Sequence, residues 1–261
     1  MIKPIFASLL LLVSELALAG SPCDIIPGKQ SHAPLKINDG LVCIVEQPVL
    51  DEQNRQHGIE TVIYTIMKNQ ELIKADGGEL SNDGGNSPGT IVDVFTLNID
   101  RDKKNQVIVI QFVEVSKGLM EPNSSGKFYS IYVFNQTDKG LRLNKRATEW
   151  FGSAYSWFTN GKTRIYEFPY LTQKSVKNSL FSPFISLMYR DGVIPVVVKQ
   201  KSYLYEDSMV YGKPTKYLIA GDKATVDKYT AGWCQVNYTG GKKPLQMWMM
   251  CDALEVDSGK R

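Results

Sequence analysis

Short runs of apolar and alternating residues, each closed by Gly, Pro, Asn or Asp, recur along nearly the whole chain. Residues 41–45 (LVCIV) form a compact apolar run, and residues 60–67 alternate incompletely. Residues 91–97 and 106–115 have the pattern and the β-branched content of strands. In residues 128–134, Phe128, Tyr132 and Phe134 interleave with Tyr129, Ile131 and Val133, so aromatic rings fall on both faces. Such a strand is either covered on both sides or offers one face to a partner. Residues 164–170 read as a further strand. Only residues 172–188 have helical character, and Pro183 breaks that stretch. Residues 76–89 (DGGELSNDGGNSPG) read as a loop, and Asp191-Gly192 as a linker.

Residues 193–256 repeat the pattern on a shorter scale. Val196 and Val198, Tyr203-Leu204-Tyr205, Tyr217-Leu218-Ile219, residues 224–226, Trp233-Cys234 with Val236 and Tyr238, and then Trp248 and Leu254 form the apolar runs. Gly221-Asp222-Lys223 and Gly240-Gly241 are turns between them. About five strands of roughly 3 to 6 residues, joined by tight turns, predict a small barrel. The YLY opening, the YLI-x-GDK step, GWC-x-V-x-Y and the closing W-x-x-x-D-x-L (Trp248, Asp252, Leu254) resemble bacterial SH3-like domains. That resemblance implies a recognition module without chemistry of its own. The expected fold is therefore mainly β, with a β-rich N-terminal domain over residues 20–190 followed by an SH3-like barrel over residues 193–256.

The N-terminus suggests where such a protein works. Lys3 precedes an almost wholly apolar stretch over residues 4–19, and Ala17-Leu18-Ala19 has the small-x-small form of a cleavage site. Residues 1–19 thus read as a secretory signal peptide, with Glu15 its one acidic interruption. Cys23 follows Gly20-Ser21-Pro22, which is unlike a lipidation site, so the mature chain is expected to be soluble and periplasmic or secreted. No later run is long enough for membrane insertion. The four cysteines fall into two close pairs, and four cysteines allow three pairings. Pairing Cys23 with Cys43 and Cys234 with Cys251 is favoured because each bridge closes a short loop within one region. Zinc is disfavoured, since no C-x-x-C occurs and His32 and His57 are the only histidines. A net charge of +3, without a basic stripe, argues against a nucleic-acid partner.

One segment has the form of a metal loop. Asn98, Asp100 and Asp102 fall at positions 1, 3 and 5 of a calcium-type loop, Lys104 would offer its carbonyl at 7, and Gln106 stands where a carboxylate is expected. Asn98 and Gln106 are neutral, and Lys103 replaces the turn glycine. No cofactor is expected; calcium is a weak candidate beside the same hairpin held by side-chain-to-backbone hydrogen bonds. From this loop, the order strand, aromatic hairpin and Trp150-Phe151-Gly152 is similar to periplasmic immunity proteins that guard bacteria against secreted peptidoglycan hydrolases. Over residues 90–170 the resemblance implies a β-rich inhibitor that inserts loops into an enzyme's cleft.

Catalytic signatures are scarce. G-x-S-x-G, H-E-x-x-H, a P-loop and G-x-G-x-x-G are all absent. Glu114, Glu121, Glu149 and Glu167 are eligible for a carboxylate pair only by their presence. The chain is read as non-catalytic. The aromatic cluster over residues 150–158 is the better candidate: Trp150, Phe151, Tyr155, Trp157 and Phe158 either form a binding loop or fill the junction between the two regions. Tyr205 and Trp233 are the corresponding candidates in the barrel, whose aromatics divide between core and a shallow groove. The leading expectation is an exported immunity-type inhibitor of a periplasm-acting toxin or cell-wall hydrolase, with a protein as partner. The alternatives are a cell-envelope protein that binds peptidoglycan peptides, and an unrecognised cell-wall hydrolase.

Overall fold

A computed structural model describes residues 21–80, 88–100, 104–116, 118, 120–208, 214, 216–240 and 243–259. The expected signal peptide, Asp102 of the calcium-type loop and half of the glycine-rich loop (residues 81–87) lie outside the described residues. Strands make up 53% of the structure and helices 11%, so the protein is mainly β. The N-terminal strands are β1 (Lys29–Gln30), β2 (Leu35–Ile37), β3 (Gly40–Leu50), β4 (Gln56–Met67), β5 (Leu72–Leu80), β6 (Thr90–Leu97), β7 (Gln106–Glu114), β8 (Lys127–Thr137), β9 (Gly140–Leu143) and β10 (Ser153–Tyr155). They form one curled sheet in the order β1-β3-β4-β5-β9-β8-β7-β6, with β2 on β3 and β10 on β8.

That sheet consists of two antiparallel blocks joined by one parallel bridge, Asp76 opposite Arg142. The join depends on Gly77, which sits at φ +71°; a Cβ there would lie 2.8 Å from the Leu143 Cβ. Residues 76–80, expected to begin a loop, therefore belong to β5. The glycines create a bulge, visible as the jump from Tyr64↔Lys74 to Val62↔Glu79, rather than ending the strand.

Alternation along β7 distributes its side chains between two cores. Val107 and Val109 join Val42, Ile44, Ile63, Val94 and Phe134 on one face. Ile108 and Ile110 join Ile131 and Val133 on the other. β8 is thus covered on both faces. A third, smaller cluster packs Ile26, Val45, Val62 and Ile66 around the Cys23–Cys43 disulfide.

After β9 the chain forms α1 (Lys145–Phe151), the hairpin β11 (Trp157–Asn160) with β12 (Thr163–Glu167), α2 (Gln173–Ser179) and α3 (Ser186–Tyr189). The stretch expected to be helical and broken at Pro183 folds as two short helices either side of it, and Thr172 caps α2 through a capping box with Ser175. α1 was not expected. Asn144 caps it by accepting from the Ala147 amide, and Ala147, Trp150 and Phe151 form its buried face at i, i+3 and i+4 spacing. The C-terminal strands are β13 (Ile194–Val198), β14 (Ser202–Leu204), β15 (Lys216–Leu218), β16 (Lys223–Thr230), β17 (Trp233–Tyr238), β18 (Leu245–Met250) and β19 (Leu254–Val256). Five of them form the sheet β18-β17-β16-β13-β19, while β14 and β15 pair as a separate hairpin. The expected count of about five strands is therefore low by two. The hairpin meets the sheet through reciprocal 2.8 Å backbone hydrogen bonds between Tyr205 and Trp248.

Candidate functional site

The junction between the two sheets is built almost entirely of rings. Trp150 stacks on Tyr229 with centroids 4.3 Å apart, and its indole N–H donates to the Phe184 carbonyl at 3.3 Å. Phe151 meets Tyr170 edge-on at 5.0 Å, Tyr155 meets Phe158 at 5.3 Å, and Tyr166 stacks on Trp233 at 5.5 Å. Polar groups at the ring edges bind the two regions together. The Tyr166 hydroxyl donates to the Ala231 carbonyl, and the Thr230 hydroxyl donates to the Glu149 carbonyl, each at 2.8 Å. The Tyr170 and Tyr229 hydroxyls share a hydrogen bond at 2.5 Å. Burial pushes the phenols of Tyr166, Tyr170 and Tyr229 above their ordinary range, since an ionised phenolate would be desolvated there.

Of the aromatic residues expected to bind a partner, Trp150, Phe151, Tyr155, Phe158 and Trp233 are buried in this junction. The expectation that they form a binding surface is corrected by the packing: their faces are covered by one another. Burying an aromatic ring stabilises the fold by about 1.5–3 kcal/mol, so withdrawal from solvent is the favoured use of such a cluster. Trp157 and Tyr205 remain partly exposed. The Arg164 guanidinium lies 5.6 Å from the Trp157 ring, and the Tyr205 ring meets Trp233 edge-on at 5.3 Å.

In the described part of the calcium-type loop, the Gln106 side chain is the bonded group. The Gln106 side-chain oxygen accepts from the Ile99 amide at 2.8 Å, and its amide nitrogen donates to Asp100 Oδ2 at 3.0 Å. The Tyr189 hydroxyl also donates to the Ile99 carbonyl at 2.8 Å. At the position where calcium would need a carboxylate, a neutral amide directs a donor at Asp100 and uses its oxygen on the backbone. Both disulfides occur as the spacing suggested, with Cα–Cα separations of 5.7 Å for Cys23–Cys43 and 5.2 Å for Cys234–Cys251.

Two surface features outside the expected set stand next to this junction or on the separate β14–β15 hairpin. A cleft of about 740 Å³ opens between α1 and β16, lined by Lys145, Arg146, Glu149, Asp227, Lys228 and Trp248 among others. Arg146 donates to Asp191 at 2.9 Å and to the Leu187 carbonyl at 3.2 Å, which fixes one wall. Asp227 Oδ1 is buried and receives no hydrogen bond among the described residues. The second feature is the β14–β15 hairpin, where Tyr203 and Tyr217 face each other across the strands at 6.5 Å. Lys201 lies over Tyr217 at 4.2 Å, and Tyr203, Tyr217 and Ile219 are about half exposed. Their pattern placed both tyrosines in strands; which face met solvent depended on a hairpin standing off the main sheet. Comparison of the chain with protein-family models, with curated proteins and with solved structures gives no match.

Proposed function

We propose that this is an exported, non-catalytic binding protein of the immunity type, which occludes a toxin or cell-wall hydrolase acting in the periplasm. The observation that carries the reading is the placement of exposed apolar side chains. Among the described residues, six of the ten large hydrophobics that face solvent fall between Phe181 and Ile219: Phe181, Tyr189, Val193, Tyr203, Tyr217 and Ile219. Exposed apolar side chains gathered in this stretch of the chain, two of them paired across the β14–β15 hairpin, support a protein partner. Two disulfides suit an oxidising compartment, in keeping with the signal-peptide reading of the N-terminus. Among the described residues no helix is long and apolar enough to cross a membrane. Mechanistically, such a protein works by steric occlusion on a rigid β scaffold and needs no cofactor.

A second reading is favoured by the α1–β16 cleft. Lys145 and Lys228 offer ammonium groups, Glu149 and Asp227 contribute carboxylates to the lining, and Trp248 offers an aromatic wall. That set complements a zwitterionic peptide, as in a peptidoglycan stem. Affinity capture from periplasmic extract with the mature chain separates the two readings. The first expects a stoichiometric protein partner, with affinity lowered by Tyr203→Ala and Tyr217→Ala. The second expects sedimentation with purified peptidoglycan, weakened by Asp227→Asn. Turnover of peptidoglycan by the purified chain would overturn both.

A further inference from the structure

The 88% exposure of Phe181 is the highest of any large hydrophobic side chain among the described residues. It stands at the tip of the turn between α2 and α3. The same turn buries Phe184 at 3% exposure, so one aromatic is an internal anchor and the other is presented outward. Phe184 is locked in place by its carbonyl, which accepts from the Trp150 indole, and by its ring, stacked 6.0 Å from Tyr229.

The turn is rigid by its own bonding. The amides of Leu180, Phe181, Ser182 and Ile185 donate to the carbonyls of Lys177, Asn178, Ser179 and Ser182 respectively. The Phe184 amide donates to Ser182 Oγ at 3.2 Å, and Pro183 has no amide hydrogen to satisfy. Every backbone donor from residue 180 to 185 is thus accounted for. A bonded turn of this kind loses little conformational entropy when it docks, and a ring with only two side-chain torsions loses little more. Along the chain, the turn and its two helices carry basic residues only, with Glu167 and Asp191 just outside them. From residue 168 to 190 the chain carries Lys174, Lys177 and Arg190 and no acidic residue. No ion pair engages these three among the described residues.

We propose that the α2–α3 turn is the anchor by which this protein enters its partner: Phe181 fills an apolar pocket on a second protein, and Lys174 and Lys177 face an acidic rim around that pocket. This rests on the reading of the chain as a protein-binding inhibitor and names the element that makes the contact. A buried aromatic anchor at the centre of an interface contributes about 2 kcal/mol or more, equivalent to at least a thirtyfold change in affinity. The flanking lysines act chiefly on the association rate and its salt dependence.

The test places a photo-crosslinking phenylalanine analogue at position 181 of the full exported chain, with Leu50 as an equally modified control. Leu50 is 50% exposed on β3, remote in sequence from the turn. The adduct protein is identified by mass spectrometry, purified, and titrated against the unmodified mature chain, Phe181→Ala, and the Lys174→Gln/Lys177→Gln double variant. The expected result is an adduct at 181 and not at 50, a thirtyfold or greater loss of affinity in Phe181→Ala, and a reduced salt dependence in the double variant. Because Phe181 touches solvent, its replacement leaves the melting temperature unchanged, so weaker binding cannot be ascribed to unfolding. A protein partner that binds Phe181→Ala as tightly as the parent overturns the anchor while sparing the inhibitor reading. Adducts only with a second copy of the chain, or co-sedimentation of the protein with phosphatidylglycerol vesicles that Phe181→Ala abolishes, overturn it in favour of self-association or a lipid surface. Absence of any protein partner at every position removes the underlying reading as well.

Discussion

At the residue scale, the most instructive side chain is Gln106. Calcium-loop spacing put it where a carboxylate belongs, and its chemistry is instead that of a clamp: it accepts from the Ile99 amide and donates to Asp100. Gln106→Ala leaves a buried backbone donor unpaired and is expected to lower stability by about 1–3 kcal/mol in urea titration. Chelation of calcium should leave the melting temperature of the parent unchanged, because a ligand that stabilised the fold would shift it. A drop on chelation would show that a metal sits in this loop after all. The buried tyrosines carry a second prediction. The phenols of Tyr166, Tyr170 and Tyr229 are raised above the ordinary 10.0 by desolvation, so the folded state holds their protons more tightly than the unfolded one. Their contribution is whole below about pH 10 and declines as pH rises beyond it, because only the unfolded chain then ionises freely. Phenolate absorbance should therefore lag for part of the tyrosine complement and appear together with loss of near-ultraviolet dichroism. Ionisation of all thirteen tyrosines near pH 10 with the fold intact would contradict the burial.

Elements show where local pattern suffices and where it misleads. The helical start at Thr172 and the break at Pro183 were readable, because both act within one turn of helix; the capping box that fixes the start is a finding of the structure. α1 was hidden by its own aromatics. Asn144, the Ala147/Trp150/Phe151 spacing and Gly152 are a legible seven-residue helix, yet two Trp and two Phe within nine residues suggest a loop for binding first. The glycine pair in β5 misled in the opposite way: a turn-like composition serves a bulge that admits β9. Gly77→Ala forces a side chain into a left-handed position and against Leu143. A loss of about 1–3 kcal/mol of unfolding free energy, read as a lower denaturation midpoint, is expected, the range for such backbone strain. An unchanged midpoint would mean that the bulge is not what joins the two blocks of the sheet.

On the scale of the whole molecule, the boundary at Asp191-Gly192 separates the sheets but not the core. Ile108, Ile131, Trp150 and Phe151 belong to the same apolar cluster as Val196, Val226, Trp233 and Met249. Trp150→Ala is accordingly expected to cost about 3–5 kcal/mol and to lower a single calorimetric transition that includes both sheets. Two separate transitions, with only one of them shifted, would show independent domains. The sequence by itself determined the β class, the positions of most strands, the cysteine pairs and the helical stretch interrupted at Pro183. Each of these follows from side-chain period or from chemistry within a few residues. Only the tertiary structure decided which aromatics are core and which are surface. Trp150 and Trp233 were indistinguishable by pattern from rings that bind, whereas Phe181 had nothing in its neighbourhood to mark it. Exposure is set by what the rest of the chain brings against a side chain, and the partners of these rings lie 20 to 80 residues away.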